Sequence, residues 1–491
     1  MGACIAHPHN INMASTTAVA ALRQIADLPG PRGIPVLGNA HQVRVDRIHL
    51  DVEKWGREYG PFFRFGLGKM TALAITDHEV IAGILKDRPD GFRRTSRTTD
   101  VATEMGLKPG LFGSEGQGWR DQRRMVMASF APGHVRTYFP SLLKVTQRLR
   151  GRWQTAARRG ATIALQEDLM RYTVDGVAGL AFGTDMNTLQ SDDEVIQQHL
   201  DKIFPTLFRR IFTRFPYWRY VRLPIDRALD RSVVAINQAI DHFIAQARER
   251  MRANPALREQ PTNLLEAMIA AADQGDSGVT DGQVAGNVLT MLLAGEDTTA
   301  NTLAWMIYLL QRNPQALQRA TEEVRRVAPD PAAFTPEQMG ALDYLDACTS
   351  ETMRLKPVAP FIVFEALHDT TLADIHVPRG TFIWCVLRHD SVHERHFPNP
   401  TAFEPARWLE GSDAALTPTS PKRVAMPFGG GPRVCPGRYL ALLEIKMAMA
   451  MLLNSFEIDS VGTVDGGEAR ERMAFSMGPL GLTLRLRERT A

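Results

Sequence analysis

Phe428-Gly429-Gly430-Gly431-Pro432-Arg433-Val434-Cys435-Pro436-Gly437 is the stretch on which the reading of this 491-residue chain turns. One cysteine stands where a glycine-rich turn hands over to a helix. Pro436 is predicted at the first helical position, where its missing N–H has no intrahelical partner to lose. Leu440, Leu443, Ala448 and Met451 then continue with helical spacing. A sulfur at such a helix start lies among unpaired N–H groups and the positive end of the helix dipole. Both favour the thiolate, the form that binds metal. Gly429, Gly430 and Gly431 let the backbone pass close to something flat and bulky, and Arg433 sets a cation beside it.

The order Phe, two residues, Gly, one, Arg, one, Cys, one, Gly is filled by Phe428, Gly431, Arg433, Cys435 and Gly437. It resembles the heme-binding loop of the cytochrome P450 family. The resemblance implies heme b, iron protoporphyrin IX, with Cys435 as the axial iron ligand. It also implies a mainly α fold with a smaller β region, the triangular-prism P450 fold. One heme-thiolate domain is expected over residues 28–491, behind a disordered extension over residues 1–27.

The rest of the chain agrees. No linker, charge block or fixed-period repeat divides it, and a hydrophobic content of 44% supports one large core. A net charge of +3 gives no reason to expect nucleic acid. Cys4, Cys348, Cys385 and Cys435 show no zinc spacing, the usage of a reducing compartment. The longest apolar run near the N-terminus, Ala18 to Leu22, is soon followed by Arg23 and Asp27, too short for a transmembrane anchor. Leu28-Pro29-Gly30-Pro31-Arg32-Gly33-Ile34-Pro35 follows, similar to the proline hinge of membrane-anchored relatives. A soluble, bacterial-type, cytoplasmic monomer is the expectation. Helices are predicted over Pro140–Arg158, Ser232–Ala253, Asp281–Gln311, Pro314–Val327 and Leu342–Leu355. Strands are predicted over Phe62–Gly66, Ala72–Thr76, Phe382–Val386 and Leu482–Leu486.

Further motifs carry the resemblance. Ala294-Gly295-Glu296-Asp297-Thr298-Thr299 lies deep in an apolar run, where a carboxylate and a hydroxyl cost free energy without partners. Gly295 weakens the helix there, and a threonine can pull on the carbonyl one turn back. The segment resembles the family's oxygen-activating motif. That implies Ala294 over the heme, Thr298 as hydrogen-bond donor to oxygen and ordered water, and Asp297 as proton relay. Glu351-Thr352-Met353-Arg354 matches the family's E-x-x-R. Glu249/Arg252, Glu322/Arg325, Glu323/Arg326 and Glu404/Arg407 share its spacing, so only the following Leu355, Pro357 and Pro360 single it out. With Arg407 of Phe403-Glu404-Pro405-Ala406-Arg407-Trp408, the resemblance implies a buried ion network bracing the heme loop. Trp119 and Arg123 match W-x-x-x-R, one helical face that would donate to a heme propionate. One departure stands out. Phe364 occupies the place where many relatives carry a second propionate-binding base, which leaves Trp119, Arg123 and Arg433, with Arg388 or His389 as helpers.

The family chemistry needs electrons. Only 56 residues follow Cys435, too few for a fused flavin reductase. The expected source is NAD(P)H through a separate acidic ferredoxin or flavodoxin, steered to Arg120, Arg123, Arg124, Lys422, Arg423 and Lys446. The substrate pocket is expected from Arg97–Leu111, Phe204–Tyr220, the face Asn287/Met291/Ala294/Thr298, Val358–Val363 and Phe475–Leu480. Its apolar character indicates a lipophilic substrate. Phe204–Tyr220 mixes aromatics with Arg209, Arg210, Arg214 and Arg219, which reads as core with a solvated face, as a membrane-touching lid, or as a carboxylate clamp. Glu351 to Thr371 resembles bacterial fatty-acid hydroxylases. The leading function is an O2-dependent monooxygenase performing hydroxylation or epoxidation. A hydrogen-peroxide-driven fatty-acid peroxygenase and a non-catalytic heme-thiolate sensor are the alternatives; both would dispense with the Asp297/Thr298 pair.

Overall fold

A helix from Asp281 to Arg312 runs through the centre of the molecule and is buried along most of its length. Its start is written locally: the Thr280 hydroxyl accepts from the Gln283 N–H at 3.3 Å, and the Gln283 side chain accepts from the Thr280 N–H at 2.8 Å. It ends at Asn313, before the proline that opens the helix Pro314–Val327. Leu165–Phe182, itself almost wholly buried, packs along it. The computed structural model describes residues 22–489, apart from 69, 131, 192–195, 214, 276 and 410–420. Cys4 and Arg214 fall outside the described residues, as does most of the expected N-terminal extension.

That extension is corrected at its inner end. Arg23–Gln24 form a strand pairing in parallel with Ile375–Val377, and Arg23 donates to Asp374 at 2.6 and 2.7 Å. The fold therefore starts before Leu28. Two helices are longer than expected. Pro224–Ala253 begins at a proline in its first turn, with Asp226 reaching back to the Leu223 N–H at 3.1 Å. Pro132–Arg158 contains Pro140 instead of starting there. Burial of Phe139, Leu142 and Val145 on the flanking turns offsets the hydrogen bond that a proline removes.

A five-stranded sheet flanks the helices, in the order Phe62–Leu67, Met70–Ile75, Phe382–Val386, Phe361–Ala366, Phe92–Arg94. The last two strands were not predicted. Their register sets Arg94 opposite Phe364, a pairing that bears on the site. A second sheet joins Phe456–Thr463, Leu482–Glu488 and Ile163–Ala164.

Glu351 and Arg354 are fully buried and joined by two bonds of 2.7 and 2.8 Å. Arg354 also donates to the carbonyls of Ser391, Pro400 and Ala402. Glu351 accepts from the Glu404 N–H at 2.9 Å and the Trp408 indole at 2.8 Å, with Arg407 at 3.4 Å. The expected network is present, and what it grips directly is the segment from Ser391 to Trp408. The same spacing at Glu249/Arg252 gives a solvent-exposed pair, as a bare i,i+3 match usually does.

Candidate active site

Cys435 follows a short 3-10 turn at Gly431–Arg433, and its N–H donates to the Phe428 carbonyl at 3.0 Å. The helix begins at Arg438, not at Pro436, so two turn residues, Pro436 and Gly437, separate the cysteine from it. The expected preference for thiolate is corrected as well. Burial holds the Cys435 thiol above its ordinary value, while the Gly437 N–H and the Arg123 and Arg438 guanidiniums pull the other way. A bound metal cation would reverse that balance, because a coordinating thiol gives up its proton. The glycines divide by role. Gly431, at φ +64°, is demanded by protein packing: a Cβ there would lie 2.2 Å from the Leu85 carbonyl oxygen. Gly429, at φ +70°, would meet nothing within 4 Å and leaves its side of the loop open.

On the central helix, burial fails along one stripe: Thr290, Met291, Ala294, Gly295, Asp297 and Thr298 are not buried, though the turns on either side are. An alanine exposed in mid-core marks a slot in the molecule. The Thr298 hydroxyl donates to the Ala294 carbonyl at 2.7 Å. The Asp297 carboxylate accepts from Asn301 at 2.7 Å on one oxygen and from the Ser476 hydroxyl on the other. Although the residue as a whole is only half-buried, the enclosure of its carboxyl raises Asp297 above its ordinary range against those two bonds and the Arg472 charge. Neighbouring Glu296 is buried and raised further, by burial and then by Asp201 and Asp297.

A group of cations adjoins the loop. Arg433 sits 4.6 Å over the Trp119 ring and donates to the Ser114 carbonyl at 2.7 Å and to Glu115. Glu115 also takes Arg88 at 3.3 Å and the Arg94 N–H at 2.9 Å. Arg88 lies 4.5 Å over the ring of Phe364, and Arg94 lies 3.4 Å over that of Phe112. One carboxylate thus pairs with two guanidiniums, while the third, that of Arg94, donates to the Phe112 carbonyl at 2.8 Å. Burial and the neighbouring Arg88 and Arg433 push Arg94 well down, and burial and Arg88 push Arg433 to about 10. Such a cluster calls for further negative charge. Arg123 donates to the Val434 carbonyl at 2.8 Å. Arg388 is not available as a helper: it is buried between Glu53 and Glu471, at 2.8 to 3.0 Å. His389 is turned to Asp390.

Sequence reading missed Arg88, Arg94, Asn301 and Ser476. Only the phenylalanine at 364 signalled that a cation had to come from elsewhere; strand register sets Arg94 opposite it, and Arg88 lies over its ring. A cavity of about 670 Å³ borders this region, lined by Arg94, Phe112, Phe208, Phe361, Trp384 and Phe475 among others. It takes in most of the expected pocket segments and adds Val36–Ile48. The central-helix face is not part of its lining. Phe475, held at φ 96°, stacks on Phe204 with ring centres 4.3 Å apart. Two arginines of the 204–220 region pair within the protein, Arg210 with buried Asp226 at 2.6 Å and Arg219 with Glu104, whereas Arg209 keeps a buried guanidinium nitrogen with no partner among the described residues. Phe215 and Tyr220 stack on each other at the exposed tip.

A cysteine loop, an open stripe on a buried helix and an under-neutralised arginine cluster fit a flat group bearing a metal and carboxylates: a heme held by a thiolate. Residues 28–486 match the family model described as Cytochrome P450, and the chain belongs to that family of heme-thiolate monooxygenases. It is 26% identical to Cytochrome P450 3A15 of Cavia porcellus, over 87% of this chain and 85% of that protein. It is 25% identical to Protein LUTEIN DEFICIENT 5, chloroplastic, of Arabidopsis thaliana, over 88% and 73%. A crystal structure of the cytochrome P450DA heme domain superimposes with a TM-score of 0.81 at 24% identity, covering 96% of this chain and 99% of that one. Among the described residues no helix is long and apolar enough to cross a membrane.

Proposed function

We propose that this protein inserts one oxygen atom from O2 into a lipophilic small molecule, drawing electrons from NAD(P)H through a separate ferredoxin or flavodoxin. The observation that carries this reading is the open stripe on the central helix, with Thr298 and Asp297 side by side on it. Cys435 would hold the iron of a heme, with Phe428 and Gly437 shaping its loop. Arg94, Arg433, Arg123 and Trp119 would hold the propionates. The heme supplies the oxygen activation. Thr298 orients water in the slot, and Asp297 holds a proton at its carboxyl and passes it along. Aromatic walls at Phe112, Phe204, Phe361 and Phe475 exclude water and orient an apolar chain or ring. Retention of the acid–alcohol pair speaks against peroxide-driven turnover and against a passive sensor. A cytoplasmic location fits the reducing-type cysteine usage.

The ligand assignment is tested by the reduced carbon monoxide complex: wild type should show the long-wavelength Soret band of a thiolate-bound heme. Cys435→Ser should lose it, and a retained band sinks the assignment. Thr298→Ala should lower product formed per NADH on the order of 10²-fold, the scale of a lost proton-transfer group. Unchanged coupling would exclude Thr298 from oxygen activation.

A further inference from the structure

Four histidines gather around one buried aspartate, away from the cysteine loop. His78 is the first residue of the helix His78–Lys86, which Asp77 caps. Asp390 lies in the short helix Leu387–Ser391, and His396 in the loop beyond. Asp390 Oδ2 is 2.9 Å from His78 Nδ1 and 3.3 Å from His396 Nε2, and accepts the His78 backbone N–H at 3.1 Å. His389 Nδ1 approaches the other oxygen at 3.2 Å. The side chains of His78, Asp390 and His396 are each under a tenth exposed. The His78 and His396 rings meet edge to face, with centres 4.7 Å apart.

One carboxylate does not need three imidazoles. His78 Nε2, His389 Nε2 and His396 Nδ1 are buried and have no hydrogen-bond partner among the described residues, a cost of about 1–3 kcal/mol each. On the edge of His396 that faces Asp390, Nε2 also accepts from the exposed Arg395 Nε at 3.1 Å, a contact that a metal ion would displace.

We propose that His78, Asp390 and His396 form a binding site for a divalent transition-metal cation of the zinc type. Their three ligand atoms lie within 4.8 Å of one another. Metal–ligand distances of about 2.0–2.2 Å in a tetrahedral site set neighbouring ligand atoms about 3.3 Å apart, so the site closes around an ion with small side-chain shifts. The fourth position belongs to water or to exposed His393, whose ring centre is 6.5 Å from that of His396. The ion would tie the start of the helix His78–Lys86 to the segment that Arg354 grips through the Ser391 carbonyl. Leu85, at the other end of that helix, backs Gly431 in the cysteine loop. Metal at this site thus stiffens the support of the loop without touching the iron.

The test uses tag-free holoenzyme, freed of loose metal with a chelator, dialysed and titrated with zinc chloride. One equivalent of zinc per chain is expected beyond the heme iron, with a raised Tm. His396→Ala should lose both the zinc and the rise in Tm while keeping its heme. Zinc-edge X-ray absorption on wild type should show two imidazoles, which keeps the test decisive if the variant does not fold. Absence of stoichiometric zinc in wild type, a spectrum without imidazole, or zinc retained by His396→Ala would each overturn the proposal.

Discussion

At Gly431, packing against another helix sets the residue. The backbone is left-handed at φ +64° and the Leu85 carbonyl would stand 2.2 Å from a Cβ, so Gly431→Ala carries strain and a clash together. Strain alone is of order 1–3 kcal/mol; a lower Tm with reduced heme content is expected, and an unchanged Tm refutes this account. Arg94 answers to the opposite demand, charge without full compensation. Arg94→Gln should speed transfer of heme to excess apomyoglobin about tenfold, the equivalent of about 1.4 kcal/mol for one charge-assisted bond. An unchanged transfer rate would remove Arg94 from the propionate site. Cys435, Arg433 and Thr298 were legible from motif spacing. Arg94 was not, because its partners are Phe112, Glu115 and, across the sheet, Phe364, brought together only by the fold.

Between elements, the helix Ile196–Phe212 meets the central helix through acids. Asp201 is exposed as a residue, yet the packing around its carboxyl, first, and the Asp297 and Glu167 charges, next, raise it from 3.8 to about 6. The folded state therefore holds this proton more tightly than the unfolded chain does. The stability it contributes is complete below 3.8 and is lost as pH rises through about 6. Asp201→Asn should flatten the fall of Tm across that window, and a fall as steep as in wild type would show that the coupling is absent. Helix boundaries show where local reading succeeds. The central helix, expected over Asp281–Gln311, is found over Asp281–Arg312. Pro140 misled because a proline that suits a first turn can also be carried inside a helix whose flanking turns are buried.

Across the whole molecule, the cations expected to dock a redox partner are partly neutralised from within. Arg120 pairs with Asp90, Arg124 with Asp121 and Lys446 with Asp346, so three of the expected docking charges are committed. Lys422 and Arg423 are exposed on the same connection that leads into the loop. The double substitution Lys422→Glu, Arg423→Glu should slow reduction by an acidic ferredoxin at least about tenfold and weaken its dependence on ionic strength. Equal rates at low salt would place electron entry elsewhere.

Sequence alone determined the family and the predominance of helix, and marked Cys435 and the Asp297/Thr298 pair as the candidates for the site, because each is carried by near neighbours along the chain. Tertiary structure decided what answers each charge and where burial stops. It placed Arg94 beside the cations of the loop, removed Arg388 to Glu53 and Glu471, opened a stripe on a buried helix, and tied Asp297 to Ser476. Those contacts join residues far apart in sequence, and only packing selects which of many possible partners is met.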